Sequence, residues 1–185
     1  MELIAGLIAD LSKDPFSPIL NFECAKEYRR LNQTASAVTF YLRCAEYGAE
    51  NDSLLVYISL IELSKCFDDQ KGREHTVKNA LQQAIAYMPY RPEAYFFLSN
   101  FYERQGNWQE CYTQATIGEH MAVVDYDLPV EGYYGEYCLI FEKAVSAYWI
   151  GRKDESIKLF RHLEKQDLRS EYQKSVRENL LRIAV

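Results

Sequence analysis

The sequence predicts an all-α fold. Apolar residues recur at the 3.6-residue spacing of a helix in every segment, and no alternating apolar-polar run of strand length stands clear of that pattern. In addition, four stretches share one order of features: an apolar helix containing a small residue, a turn, and a second helix. The length of 185 residues suits one domain, so we predict a single domain over residues 1–185.

The composition argues against several classes of protein. Apolar residues make up 48% of the chain and charged residues 26%, which is typical of a globular protein and not of a disordered one. The net charge of −6 argues against a nucleic-acid partner, because DNA and RNA are bound through a basic surface. The apolar opening, residues 1–11, lacks a basic start and is too short to cross a bilayer. We therefore expect a cytoplasmic protein with no membrane partner.

The predicted elements follow one another in a regular order. A capping helix comes first, over residues 1–11, with Leu3, Leu7 and Leu11 on its apolar side. The helix-turn-helix repeats and the final capping helix then lie at about 18–52, 53–91, 92–125, 137–168 and 170–183. A terminal helix that is apolar on one side only would seal the last repeat.

Small residues explain how the two helices of one repeat can pack closely. In the first repeat, Ala25 and Ala37 allow the backbones to approach, and the rings of Tyr28 and Tyr41 fill the flanking gaps. In the third repeat, Gly106 supplies the left-handed backbone that a tight turn needs. The second repeat needs one extra residue in its turn.

The most specific motif lies in the third repeat. Residues 92–111 read Pro-Glu-Ala-Tyr-Phe-Phe-Leu-Ser-Asn-Phe-Tyr-Glu-Arg-Gln-Gly-Asn-Trp-Gln-Glu-Cys. This motif resembles one helix-turn-helix unit of a tetratricopeptide repeat (TPR). The resemblance implies an α-solenoid of about four TPR-like repeats with N- and C-terminal capping helices, because one repeat cannot bury its apolar face alone. It also implies a concave groove that binds a protein or peptide segment.

A narrower resemblance is carried by three further sets of residues, 33–46, 91–99 and 140–147. They look like the TPR-like helical region of glycosyltransferase-type proteins of marine bacteriophages. This resemblance implies a helical accessory module of a phage-type glycosyltransferase system. Sugar transfer would need a β-α-β segment for the sugar nucleotide, and the sequence shows none.

The stretch 124–135 is too long and too rich in turn residues for a normal repeat junction, and it is the candidate functional loop. Within it, Asp125-Tyr126-Asp127 matches the Asp-x-Asp pattern with which metal-dependent glycosyltransferases hold Mn²⁺ or Mg²⁺. That pattern normally ends a strand of a nucleotide-binding sheet, so a solvated or turn-capping loop is the favoured interpretation. We therefore predict no metal and no cofactor.

No catalytic constellation is recognisable in the sequence. His75, His120 and His162 are far apart, and none belongs to a His-Glu-x-x-His helix. The cysteines are odd in number and never occur as Cys-x-x-Cys, which favours small packing residues in a reducing compartment. They are Cys24, Cys44, Cys66, Cys111 and Cys138. We predict that the chain is not an enzyme.

The first helices of the repeats are predicted to line the groove. The residues that would face it are Phe22, Lys26, Arg29, Ile61, Lys65, Phe96, Asn100, Glu103, Phe141, Val145 and Tyr148. Lys26, Lys65 and Asn100 fall at equivalent places in three successive repeats, which resembles in part the TPR clamps that hold a peptide carboxylate. Those clamps carry basic or Asn residues where this chain has an apolar column of phenylalanines and an isoleucine, so an apolar or mixed peptide is the expected ligand. The alternative is that this column packs against the neighbouring helix and the lysines are solvated.

The leading hypothesis is therefore a non-catalytic scaffold that binds a protein or peptide segment in the groove. The phage-type accessory module is the first alternative. An independent enzyme that uses Asp125 and Asp127 is the second.

Overall fold

The computed structural model describes residues 2–121 and 129–183. Over these ranges the chain forms ten helices and no strand, which confirms the predicted all-α fold. In chain order they are α1 (Glu2–Leu11), α2 (Pro18–Arg30), α3 (Thr34–Tyr47), α4 (Ser53–Asp69), α5 (Glu74–Tyr87), α6 (Glu93–Arg104), α7 (Trp108–His120), α8 (Glu136–Trp149), α9 (Lys153–Leu163) and α10 (Ser170–Ile183). None of these ten helices is both long and apolar enough to cross a membrane.

The starts of several helices are fixed by polar side chains that cap free backbone amides. The Ser17 hydroxyl accepts a hydrogen bond from the Leu20 N–H at the start of α2 (3.4 Å). At the start of α4, the Asp52 carboxylate accepts from the Leu55 N–H (3.3 Å), and Asn107 has the same role for α7. Such caps satisfy amides that have no partner within the helix, and each stabilises the helix by roughly 0.5–2 kcal/mol relative to alanine.

The turn inside each helix pair uses a left-handed backbone. Asn32, Gly106 and Gly151 adopt φ values of 57°, 68° and 85° in the turns after α2, α6 and α8. The turn after α4 contains two consecutive residues of this kind, Lys71 at 54° and Gly72 at 66°. This second left-handed residue agrees with the extra turn residue that the sequence predicts for the second repeat. Glycine and asparagine tolerate this conformation better than other residues do.

The helices pack as two compact units, Met1–Pro89 (unit 1) and Tyr90–Val185 (unit 2). In unit 1 each helix from α1 to α5 packs against the next one, and in unit 2 the same holds from α6 to α10. The boundary after Pro89 falls near the border between the second and third predicted repeats. The assignment of all residues to a single domain stays a prediction.

Small residues lie on the buried faces of the helices. Those with no exposed surface include Ala25, Ala37, Ala94, Ala115 and Ala144. Gly118 of α7 marks a close approach of its neighbours, because a Cβ atom added there would lie 2.7 Å from Cβ of Tyr95 and 2.8 Å from Cδ2 of Leu139. The predicted role of small residues in helix packing is therefore confirmed.

The predicted apolar faces of the two terminal helices, α1 and α10, agree with the structure to different extents. Val176 of α10 is buried, and Tyr172, Leu180 and Ile183 pack against the same core cluster, as predicted for a capping helix. In α1, Leu11 is buried, but the prediction for Leu3 is wrong because its side chain is 62% exposed. Among the described helices, α1 packs mainly on α2.

The five cysteines are all buried and free. Burial raises the pKa of each thiol, because the thiolate would lose its hydration. A protonated buried thiol behaves as a small apolar side chain. These positions therefore match the predicted packing role.

Candidate functional site

The predicted groove residues lie on α2 and α4 in unit 1 and on α6 and α8 in unit 2. We call these four helices the first helices, because each opens a helix pair. Within unit 1, α2 contacts α4, and within unit 2, α6 contacts α8. Each unit therefore brings two first helices side by side.

The apolar members of the predicted site in unit 1 are buried. Phe22 is 7% exposed, and its ring meets that of Tyr41 on α3 edge to face at 5.9 Å. Ile61 on α4 has no exposed surface. Both side chains thus belong to the core of unit 1, and a direct role in ligand binding stays a prediction for them.

The two predicted groove lysines of unit 1, Lys26 and Lys65, each have a glutamate partner three residues earlier on the same helix. Lys26 is exposed, and its Nζ lies 3.1 Å from Oε1 of Glu23 and 5.5 Å from the centre of the Phe22 ring. Lys65 is paired with Glu62 in the same way and is less exposed. Ion pairs of this spacing at a helix surface contribute only about 0.2–0.5 kcal/mol each. A carboxylate from a partner could therefore replace Glu23 at low cost, because the Lys26–Glu23 pair is exposed, whereas Lys65 and Glu62 are mostly buried.

Arg29 joins the two first helices of unit 1. Its Nη1 donates a hydrogen bond to Oδ2 of Asp69 at the end of α4 (2.6 Å) and lies 3.5 Å from Sγ of Cys66. The guanidinium group is partly buried, whereas the Asp69 carboxylate is mostly exposed. Arg29 is therefore a cation held at the α2–α4 junction.

Phe96 of α6, the central apolar residue of the predicted site in unit 2, is also buried. Its side chain is 5% exposed. The ring centre lies 5.1 Å from that of Phe97 and 5.6 Å from that of Tyr133, which follows α7 in the candidate functional loop. The described part of this loop, residues 129–135, thus packs against α6.

A buried polar group that the sequence analysis did not single out connects the first helices of unit 2. Glu142 of α8 is 3% exposed, and its Oε1 accepts a hydrogen bond from Nδ2 of Asn100 on α6 (3.3 Å). The Cys111 thiol lies 3.8 Å from Oε2. The pKa of Glu142 is raised to about 8, mainly by burial and also by the nearby carboxylate of Glu103, while the contacts with Asn100 and Cys111 and the charge of Arg104 act in the opposite direction.

The carboxyl group of Glu103 also has a raised pKa, because it is partly desolvated; the charge of Arg104 acts in the opposite direction. Two carboxyl groups therefore share the space between α6 and α8. The burial of Glu142 could have been predicted from its spacing. Cys138 and Ser146 lie four residues before and after it, and these two small residues are buried on the same side of α8.

The remaining site residues form a row along α8. Phe141, Val145 and Tyr148 follow a spacing of four and three residues, so they share one face, and all three are half-buried. The Phe141 ring packs edge to face on those of Phe160 and Tyr172. The Tyr148 ring contacts Trp149 in the same manner, and Nζ of Lys153 lies 5.3 Å above it. This row is the most accessible apolar part of the predicted site.

The remaining candidate residues are two aspartates of the candidate functional loop and three histidines. Asp125 and Asp127 lie outside the described residues. Within the parts of the chain that the structure describes, no group of three or more His, Cys, Asp or Glu side chains is placed to hold a metal ion. His75, His120 and His162 are exposed and lie on three different helices.

Comparison with solved structures identifies the fold. The crystal structure of MamA gives a TM-score of 0.64 at 16% identity, covering 85% of this chain and 82% of that chain. PilW, a widely conserved type IV pilus biogenesis factor, gives a TM-score of 0.68 at 17% identity and covers 92% of this chain and 71% of its own. A thermophilic TPR protein of Thermus thermophilus gives 0.57 at 14% identity, with coverage of 98% and 88%. No protein-family model and no curated protein sequence matches the chain. At these identities the likeness concerns the fold, and the chain has a TPR-like α-solenoid fold.

Proposed function

We propose that the chain is a non-catalytic scaffold that binds a protein or peptide segment along its first helices. Proteins of this fold are generally interaction scaffolds, because stacked repeats present an extended surface and carry their side chains for recognition on it. For this chain the proposal rests on the chemistry of that surface in each unit.

The observation that carries the proposal is the mixed character of the first helices in unit 1. Lys26, Arg29 and Lys65 place three cations on two adjacent helices, within ion-pair distance of Glu23, Asp69 and Glu62 respectively. The exposed Lys26–Glu23 pair is weak and is screened by salt, so an incoming acidic side chain or chain terminus can compete for Lys26, with Arg29 and Lys65 on the same two helices. Unit 1 therefore suits the acidic part of a mixed ligand, an acidic side chain or a chain terminus.

Unit 2 supports the apolar part of the expected ligand. The half-buried row of Phe141, Val145 and Tyr148 leaves part of each side chain accessible on one face of α8. Aromatic residues that are partly exposed are typical anchors of protein interfaces. The buried Phe22 and Ile61 belong to the core of unit 1 and the buried Phe96 to that of unit 2. Any direct contact between these side chains and a ligand is part of the proposal.

The experiment that tests this function compares capture by matched variants. Wild-type chain, K26A/K65A and the control K158A/K174A are immobilised, and proteins captured from an extract of the source cells are identified by mass spectrometry at low and high salt. The control removes two exposed lysines of α9 and α10 and so produces the same change in net charge. We expect at least one protein to be retained by wild type and the control, lost by K26A/K65A, and captured less at high salt.

Equal capture by all three forms would contradict the proposed binding face. The other predicted role, a helical accessory module of a phage-type glycosyltransferase system, rests on sequence resemblance alone and stays a prediction. A sugar-nucleotide domain encoded next to this chain would favour that role.

A further inference from the structure

Residues 130–133 form a tight turn. The Tyr133 N–H donates a hydrogen bond to the Val130 carbonyl oxygen (3.2 Å), which closes a four-residue β-turn. Gly132, the third residue of this turn, has a φ of 90°, a conformation that favours glycine. The turn therefore has an aliphatic residue at its first position, glycine at its third and an aromatic residue at its fourth.

This turn rests on the apolar side of α6. The Tyr133 ring lies 5.6 Å from the Phe96 ring, and Val130 is 3% exposed. A methyl group at Gly132 would lie 3.4 Å from the Phe97 ring, so the glycine backbone itself sits over that ring. The next residue, Tyr134, faces elsewhere, because the Arg169 guanidinium lies 3.9 Å above its ring.

The position of the turn is unusual for a repeat junction. The chain passes from α3 to α4 through residues 48–52, whereas it passes from α7 to α8 through residues 121–135. Helix-helix connections of the shorter kind are sufficient to link two repeats. The longer connection returns to α6, which is a first helix and therefore belongs to the face on which the proposed function places a partner.

We propose that the Phe96–Phe97 side of α6 is a recognition site for a tight turn of a partner protein, and that the turn formed by residues 130–133 occupies it as an internal competitor. The partner turn has the chemistry of the internal one: an aliphatic residue, any residue, glycine and an aromatic residue in succession. This inference rests on the proposed function, since it names the partner class for one first helix. Because residues 130–133 belong to the same chain as α6, their effective concentration at this site is on the order of millimolar. A turn of a separate protein therefore competes poorly until the binding of residues 130–133 is weakened.

The test uses the full chain and a synthetic peptide with the sequence of residues 129–135, Pro-Val-Glu-Gly-Tyr-Tyr-Gly. Binding is followed by NMR shifts of backbone amides in wild type, Y133A and the control Y134A. The control removes the neighbouring tyrosine, whose ring lies 3.9 Å from the Arg169 guanidinium. We expect the peptide to bind Y133A at least about 10-fold more tightly than wild type or Y134A, with shifts centred on α6, because only Y133A weakens the internal competitor. A peptide carrying Val130→Ala and Tyr133→Ala should not bind.

A folded Y133A that does not bind the peptide, or that shows shifts away from α6, overturns the proposal. If Y133A does not fold, G132A provides the second variant, since it strains the turn at a positive φ without removing the tyrosine. Loss of folding in both variants also overturns the proposal, because an exchangeable turn must leave a folded unit behind. A concentration-dependent dimer of Y133A, seen by light scattering, would assign the site to a second copy of the chain and not to a partner protein. The proposed function is tested separately, by protein capture that depends on Lys26 and Lys65. A failure of the proposed function can therefore be distinguished from a failure of the turn-recognition site on α6.

Discussion

Asn100 on α6 donates a hydrogen bond to the carboxylate of Glu142 on α8, with Nδ2 and Oε1 3.3 Å apart. This bond links the two first helices of unit 2 through a carboxyl group that is 3% exposed. An ionised carboxylate at this depth loses its hydration, and the neighbouring Glu103 adds a second negative charge. The folded protein therefore favours the protonated form of Glu142.

The first prediction is that the stability of unit 2 falls as the pH rises. The pKa of Glu142 is about 8 in the folded protein, against an ordinary value of 4.5. Between these two values the folded state binds more protons than the unfolded state, so its free energy of unfolding decreases with rising pH. The contribution of Glu142 is complete below a pH of about 4.5 and is lost as the pH approaches about 8. Glu103, whose pKa is also raised, acts in the same direction.

Urea denaturation of wild type and E142Q between pH 5 and pH 8 checks this prediction. Glutamine keeps the volume of the side chain and cannot ionise. The free energy of unfolding of E142Q should therefore change with pH by at least about 1 kcal/mol less than that of wild type, the equivalent of one pKa unit. E164Q, which changes an exposed glutamate at the end of α9, should keep the wild-type dependence. If E142Q follows the wild-type curve, Glu142 is not the group responsible.

The second prediction concerns the close approach at Gly118 of α7. A Cβ atom there would meet Cβ of Tyr95 at 2.7 Å, and this atom cannot move without its backbone. We expect G118A to lower the free energy of unfolding by roughly 1–3 kcal/mol, because overpacking outweighs the gain of about 0.5–1 kcal/mol in helix propensity. The matched control is G6A on α1, where a Cβ atom meets nothing within 4 Å. Denaturation curves should show the two alanines acting in opposite directions, and equal effects would exclude overpacking as the cause.

The sequence predicts the helices and turns of this chain well, for local reasons. Periodicity locates each helix, and the residues that tolerate a left-handed backbone, such as Asn32 and Gly106, mark the turns. Small residues such as Ala25 indicate where helices approach. These features depend on short stretches of chain, so they can be read without knowledge of tertiary contacts.

The candidate site was harder to predict, because burial depends on distant parts of the chain. In α4, the residues from Val56 to Ile61 are all buried, so a helix-wide apolar pattern does not show which side faces a groove. Phe96 is covered partly by Tyr133, which belongs to a loop with no periodic pattern. The burial of Glu142 is also hard to predict, because a glutamate is expected at the surface. Its hydrogen-bond partner Asn100 lies 42 residues earlier in the chain and is known only from the structure.

The third prediction separates core residues from surface residues of the proposed binding face. F96A should lower the free energy of unfolding by roughly 3–5 kcal/mol, because a buried ring is removed and a cavity is left. The control F16A removes a phenylalanine that is 66% exposed and should cost much less. K26A should change stability by no more than about 1 kcal/mol, since its ion pair with Glu23 is exposed and weak. A thermal scan in which F96A resembles F16A would contradict the burial of Phe96 and place its ring in an open groove.

The fourth prediction uses the only two tryptophans of the chain. The rings of Trp108 on α7 and Trp149 on α8 are stacked, with their centres 5.1 Å apart and an angle of 15° between their planes. Stacked indoles couple electronically, so wild type should show a paired positive and negative band in its circular dichroism spectrum that disappears in W149A. Trp149 is 59% exposed, so W149A should cost only about 0.5–1.5 kcal/mol, the typical value of an aromatic pair. W149F should lose the paired band and keep most of that stability, because the ring stack persists without the second indole. If W149A leaves the band unchanged, the two rings are not stacked in solution and α7 and α8 are not held together at this point.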